Sequence, residues 1–190
     1  MNFSPETQVR ERWRVPNVVF VTLTWVVVGL TWTLLIVAYS ALPERIPSHF
    51  GFSGLPDAMT QRTWFTVLLP GMIQAAMAGL TWWLSRHPEY SNLPSTLTIT
   101  ALPEPAQSTV RHLLSHMIVM TGLIASLIIA YLCLGIVRVG LGITDRLDTW
   151  VVLGLVGFLL ALIAAYTVWL ARITKGTVRS GAQPRSVEKK

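Results

Sequence analysis

Charge is scarce in this chain: Asp, Glu, Lys and Arg make up 13% of its 190 residues, where soluble domains carry about a quarter. With hydrophobic residues at 52%, that shortfall excludes an ordinary solvated globule and points to bilayer spans. There is one cysteine, Cys133, inside an apolar run. An intrachain disulfide and a multi-cysteine zinc site are therefore excluded. Acidic residues are outnumbered, 9 against 15 basic, for a formal net charge of +6. Such a balance can mark nucleic-acid binding, but here the basic residues form no patch with interleaved aromatics and gather at the ends. Arg10, Arg12 and Arg14 precede the first apolar run, and Arg172, Lys175, Arg179, Arg185, Lys189 and Lys190 close the chain. That distribution is membrane topology, and no nucleic-acid partner is expected.

Chemistry-bearing constellations are also missing. No Asp, Glu, Lys or Arg lies in the central part of any apolar run, although ion paths and proton relays are built from such residues. His112 and His116 are four apart, a spacing able to bind metal, but no HExxH motif accompanies them. Beside Arg111 at the cytoplasmic interface they read as solvated or headgroup-contacting histidines. Two midspan histidines from different helices, which a bis-histidine haem needs, are absent. Ser108 and Ser115 have no carboxylate partner for a nucleophile triad. The chain reads as a non-enzyme without cofactor or metal.

What is present is four long apolar runs. They predict an all-α, four-helix transmembrane bundle with helices at about 17–42, 64–84, 105–137 and 149–173, each long enough for a ~30 Å hydrocarbon core. The first could be a signal peptide cleaved near Ala38-Tyr39-Ser40, but its apolar stretch is too long. Pro70 interrupts the second, which neighbouring helices can tolerate. Pro105 suits the first turn of the third and Asp148 the N-cap of the fourth. The last residues, 175–190, lack apolar periodicity and predict a mobile, basic tail.

Orientation follows from counting Lys and Arg. With the N-terminus inside, eleven basic residues are cytoplasmic; Arg45, Arg62, Arg138 and Arg146, four in all, are outside. The expected topology is N-in, C-in. Trp64 and Trp150 then mark the outer ends, and Trp13, Trp82, Trp83 and Trp169 the inner ones, as indole rings prefer. Trp25 and Trp32 fall inside the first helix as lipid-facing or packing bulk.

Helices in lipid approach through small residues. Gly71, Ala75 and Gly79 in the second helix, Gly122, Ser126 and Ala130 in the third, and Gly157, Ala161 and Ala165 in the fourth each recur every four residues. The first helix has no such ridge. Its Thr22, Thr24, Thr31 and Thr33 can bond back to their own helix, so that helix is expected to face lipid or a partner. Gln74 is the only strongly polar midspan residue.

The stretch from Pro43 to Thr63 is the most unusual. Pro43, Pro47 and Pro56 set φ, and Gly51 and Gly54 permit positive φ, so an ordered Pro/Gly-rich extracytoplasmic loop is expected. His49 and Asp57 can share a hydrogen bond, and with Glu44 they are a conceivable hard-metal set.

Ile46-Pro47-Ser48-His49-Phe50 followed by Gly54-Leu55-Pro56-Asp57 resembles the signature of an uncharacterised bacterial membrane-domain family. The module also resembles the N-terminal part of sporulation-delaying-toxin immunity proteins, with a Pro-rich inner loop at 88–94 and a strand-like Leu97-Thr98-Ile99-Thr100 before the third helix. The motif positions are Pro47, His49, Gly54, Pro56 and Asp57. The resemblance implies a multi-pass protein of the bacterial cytoplasmic membrane with an immunity or self-protection role. Immunity proteins have more spans than the four here, which raises an alternative: an accessory subunit stabilising a larger, energy-converting membrane complex. A metal-dependent enzyme or sensor using the His49 loop is a further alternative. The expected partners are the lipid bilayer and a membrane protein or a second copy of the chain.

Overall fold

In the computed structural model the backbone is described for residues 5–87, 90 and 104–181, and side chains for 17–87, 90 and 107–173. The elements run α1 (Pro5–Ala38), β1 (Arg45–Phe50), β2 (Pro56–Gln61), α2 (Trp64–Arg86), α3 (Glu104–Gly140) and α4 (Thr149–Gly181). All four helices contain a segment long and apolar enough to cross a membrane: Asn17–Ala38, Trp64–Arg86, Gln107–Gly140 and Thr149–Ile173. This is a multi-pass, all-α membrane bundle. The inner-loop prolines at 88 and 94 and the strand-like 97–100 lie outside the described residues.

Local chemistry explains the ends. Helix α1 opens on Pro5, where a missing N–H costs nothing. It ends at Ala38 rather than Leu42, because Pro43 has no N–H and disfavours helical backbone at the residue before it. The Ala41 and Leu42 amides both donate to the Ala38 carbonyl, at 3.0 and 3.1 Å. Helix α2 starts on a reciprocal capping box: the Thr66 amide donates to Thr63 Oγ1 at 3.1 Å and the Thr63 amide to Thr66 Oγ1 at 2.9 Å. It passes through Pro70 as one element. Asp148 caps α4, accepting from the Trp150 amide at 3.1 Å. Helix α4 continues to Gly181, so residues 175–181 of the expected tail are helical, and 182–190 lie outside the described residues.

The first helix corrects the expectation that it faces away from the bundle. Its Thr24, Val28, Thr31, Leu35 and Ala38 form a buried stripe at heptad-like spacing, packed on α3 and α2. A helix needs no glycine ridge of its own when its neighbours supply one. A Cβ on Gly71 would lie 3.3 Å from both Leu35 Cδ1 and Trp32 Nε1, and the Trp32 indole donates to the Gly71 carbonyl at 3.1 Å. The four threonines bond back as expected, to the carbonyls of Val18, Phe20, Val27 and Gly29 at 2.8 to 2.9 Å.

The small-residue ridges fare unequally. On α3, Gly122 and Ser126 are buried, and a Cβ on Gly122 would stand 2.7 Å from Thr81 Oγ1; Ala130 is half-buried. On α2 the buried stripe is Val67, Gly71, Gln74 and Ala78, while Ala75 and Gly79 turn to its flank. The reason is geometric: steps of four rotate about 40° further round the helix each time, whereas alternating three and four holds one face. On α4, Gly157, Ala161 and Ala165 are exposed. None of the most apolar part of α4 is buried; it leans on α3 through Tyr166, Leu170 and Ile173, against Val110, Leu113, Leu114 and Met117.

Polar knots mark two levels. At midspan the fully buried Gln74 donates from Nε2 to the Ser126 carbonyl and Ser126 Oγ, both at 3.0 Å, and to Thr31 Oγ1 at 3.2 Å, tying α1, α2 and α3. A carbonyl only accepts, so it fixes which end of the amide faces Ser126. At the end where α1 begins and α4 finishes, Asn17 Nδ2 donates to Ser115 Oγ at 3.1 Å, and Ser115 Oγ to the Ser85 carbonyl at 2.6 Å. There His116 Nδ1 and the Tyr166 hydroxyl are 2.5 Å apart, joining α3 to α4. His116 therefore faces the bundle rather than headgroups, because Tyr166 offers a partner that sequence spacing alone does not reveal.

Candidate functional site

The expected ordered loop is a β-hairpin. Strands β1 and β2 are antiparallel, pairing Arg45 with Gln61, Ile46 with Thr60, Pro47 with Met59, His49 with Ala58 and Phe50 with Pro56. Pro47 in β1 and Pro56 in β2 argue against a strand in a sheet interior, but both strands here are edges, where a missing donor can face away from the partner. The register slips on either side of His49, as bulges do when they re-aim a side chain.

The hairpin is built into the bundle at three points. Ile46 and Pro47 are adjacent and both fully buried, Ile46 inside the cluster of Leu35, Ala38, Leu42, Val67, Cys133 and Val137. At the turn, Gly54 has φ +79° and its carbonyl accepts from the Leu147 amide at 2.8 Å. A Cβ on Gly54 would fall 1.9 Å from the Leu147 carbonyl oxygen, so glycine is required twice over. At the base, the Arg62 guanidinium donates to the Tyr39 carbonyl at 2.7 Å and lies 5.1 Å from the centre of the Tyr39 ring, which stacks on Trp64 at 3.6 Å.

Held on this frame, His49 Nδ1 and Asp57 Oδ1 are 2.6 Å apart, with side chains 70% and 52% exposed. The absence of a side chain at Gly51 gives the carboxylate room, since a Cβ there would lie 3.3 Å from Asp57 Oδ2. With Nδ1–H donating to Asp57, the imidazole is held in one orientation and Nε2 is the free ring nitrogen. Phe52, Leu55 and Met59 of the same hairpin are exposed apolar side chains. An exposed carboxylate and imidazole held at fixed geometry can make directed hydrogen bonds to a ligand. Glu44 stands at the far end of the hairpin, its carbonyl accepting from the Arg62 amide at 2.7 Å. Among the described residues no three His, Cys, Asp or Glu come together as a metal site.

Of the motif positions, Pro47 and Gly54 are therefore anchors, His49 and Asp57 the exposed pair, and Pro56 closes the turn opposite Phe50. Sequence reasoning missed Leu147, Arg62 and Tyr39. Leu147 carries no local signal, since its role is a backbone amide; Arg62 close before Trp64 was the available hint of a cation beside aromatics.

A model of a domain of unknown function (DUF1648) matches residues 26–73, which take in the last part of α1, the whole hairpin and the start of α2. An uncharacterised protein of Archaeoglobus fulgidus is 31% identical over 80 residues, covering 38% of this chain and 43% of the relative. The chain thus spans less than half the length of that curated relative. No solved structure matches. The likeness to an uncharacterised family is met by these matches, whereas the finer likeness to toxin-immunity proteins is carried by neither, and the relative is archaeal rather than bacterial. The chain is a multi-pass membrane protein similar, across its hairpin, to a domain of unknown function.

Proposed function

We propose that this is a non-enzymatic recognition protein of a cell's cytoplasmic membrane, which presents its anchored hairpin to a membrane-protein partner. The observation that carries this reading is the contrast within one hairpin: one side is locked into the bundle by Ile46, Pro47 and Gly54, while the other leaves His49, Asp57, Leu55 and Met59 exposed. Rigid exposed groups reduce the ordering cost of association, and a mixed apolar and polar patch suits a protein surface. The excess of Lys and Arg at the terminal side supports an extracytoplasmic hairpin with N-in, C-in topology.

Within this reading, an accessory subunit fits better than a self-protection protein. Helix α4 leaves its Gly157, Ala161 and Ala165 face exposed, which a subunit of a larger assembly would use. The test is gentle extraction of tagged protein from native membranes and mass spectrometry of co-eluting chains. The expected result is a partner in fixed ratio that is lost from a His49→Ala, Met59→Ala variant of unchanged abundance. A wild-type protein eluting alone, in cells it protects from a membrane-active toxin, would favour self-protection instead.

A further inference from the structure

Beside the hairpin turn lies a groove of about 810 Å³, lined by Phe52 and Ser53 from the hairpin, by residues 144–148, and by Thr149, Trp150 and Leu153 of α4. Its position is set by the ends of two spans. Helix α3 leaves the apolar layer at Gly140 and α4 enters it at Thr149, so the groove lies at headgroup level. Leu153, at its edge, belongs to the apolar stretch of α4, none of which is buried among the described residues. Its two aromatic side chains, Phe52 and Trp150, are 82% and 79% exposed, a large apolar outlay unless lipid covers them. Its charges are of both signs: Asp145 and Asp148 flank Arg146.

We infer that this groove binds the headgroup of a zwitterionic phospholipid. The guanidinium of Arg146 matches a phosphate by charge and by its fork of donors. Asp145 and Asp148, with the faces of Phe52 and Trp150, match a cationic amine. An anionic headgroup without an amine meets one favourable charge and two unfavourable ones. Ethanolamine and choline headgroups share the required chemistry. Asp145 and Arg146 form no hydrogen bond or ion pair with other described residues, so their charges are available to a ligand. This inference does not depend on the partner proposed for the hairpin.

The experiment uses the full chain in vesicles of equimolar dioleoyl phosphatidylethanolamine, phosphatidylcholine and phosphatidylglycerol, followed by gentle extraction and native mass spectrometry of retained lipids. At least threefold enrichment of ethanolamine or choline lipid over phosphatidylglycerol is expected. Asp145→Asn should bring the ratio to that of the vesicle, and Arg146→Gln should lower retention of every phospholipid. Both substitutions are at exposed loop positions, and size-exclusion profiles matched to wild type verify the fold. Retention in the vesicle ratio by wild type, or enrichment unchanged in both variants, overturns the inference.

Discussion

At the scale of single residues, two glycines make opposite predictions from the same substitution. Gly54→Ala puts a side chain on a positive-φ residue and into the Leu147 carbonyl, so it should destabilise the protein by about 2 kcal/mol or more. Gly79→Ala meets open space in a helix and should stabilise by about 0.5–1 kcal/mol. Unfolding in a fixed detergent, followed by circular dichroism, checks both; equal effects would mean that the Gly54–Leu147 contact is not made. The pairing of His49 with Asp57 was legible in the sequence because both sit in one short loop with fixed turns. The Gly54–Leu147 contact was not, since a backbone bond between distant segments leaves no trace in residue type. His116 was misread for a related reason: its partner Tyr166 is on another helix.

At the scale of elements, the four helices were legible because apolar length alone specifies a span. Which face each helix buries was only partly so. Of the small-residue positions, Gly122 and Ser126 on α3 are buried, Ala75 and Gly79 flank the buried stripe of α2, and Gly157, Ala161 and Ala165 on α4 are exposed. Gly122→Val should accordingly cost several-fold more stability than Gly157→Val, because only the first drives a side chain into Thr81. Detergent unfolding of the two variants decides this, and equal losses would contradict the packing of α2 on α3. The midspan knot has its own signature. Gln74 Oε1 is buried without a partner among the described residues, which offsets part of what Nε2 gains. Gln74→Leu should therefore change stability by no more than about 1 kcal/mol, while Gln74→Ala, which leaves a cavity, should cost about 2 kcal/mol or more. The hairpin was legible as ordered but not as paired strands: its prolines mask the pattern, and Ile46 and Pro47 are buried side by side rather than in alternation.

At the scale of the whole molecule, four spans place the hairpin and the 141–148 turn on one side and the helical termini on the other. Cys133 is fully buried, so the wild-type chain should resist a membrane-impermeant thiol reagent. Ser53→Cys should be labelled from outside intact cells, and labelling only after the membrane is opened would reverse the orientation. The central claim, that the anchored hairpin meets a protein partner, is tested most directly by a photoreactive benzoylphenylalanine in place of the exposed Met59, illuminated in native membranes. The account predicts one discrete protein adduct, lost when His49→Ala is added. Adducts to lipid alone, or a smear independent of His49, would contradict it.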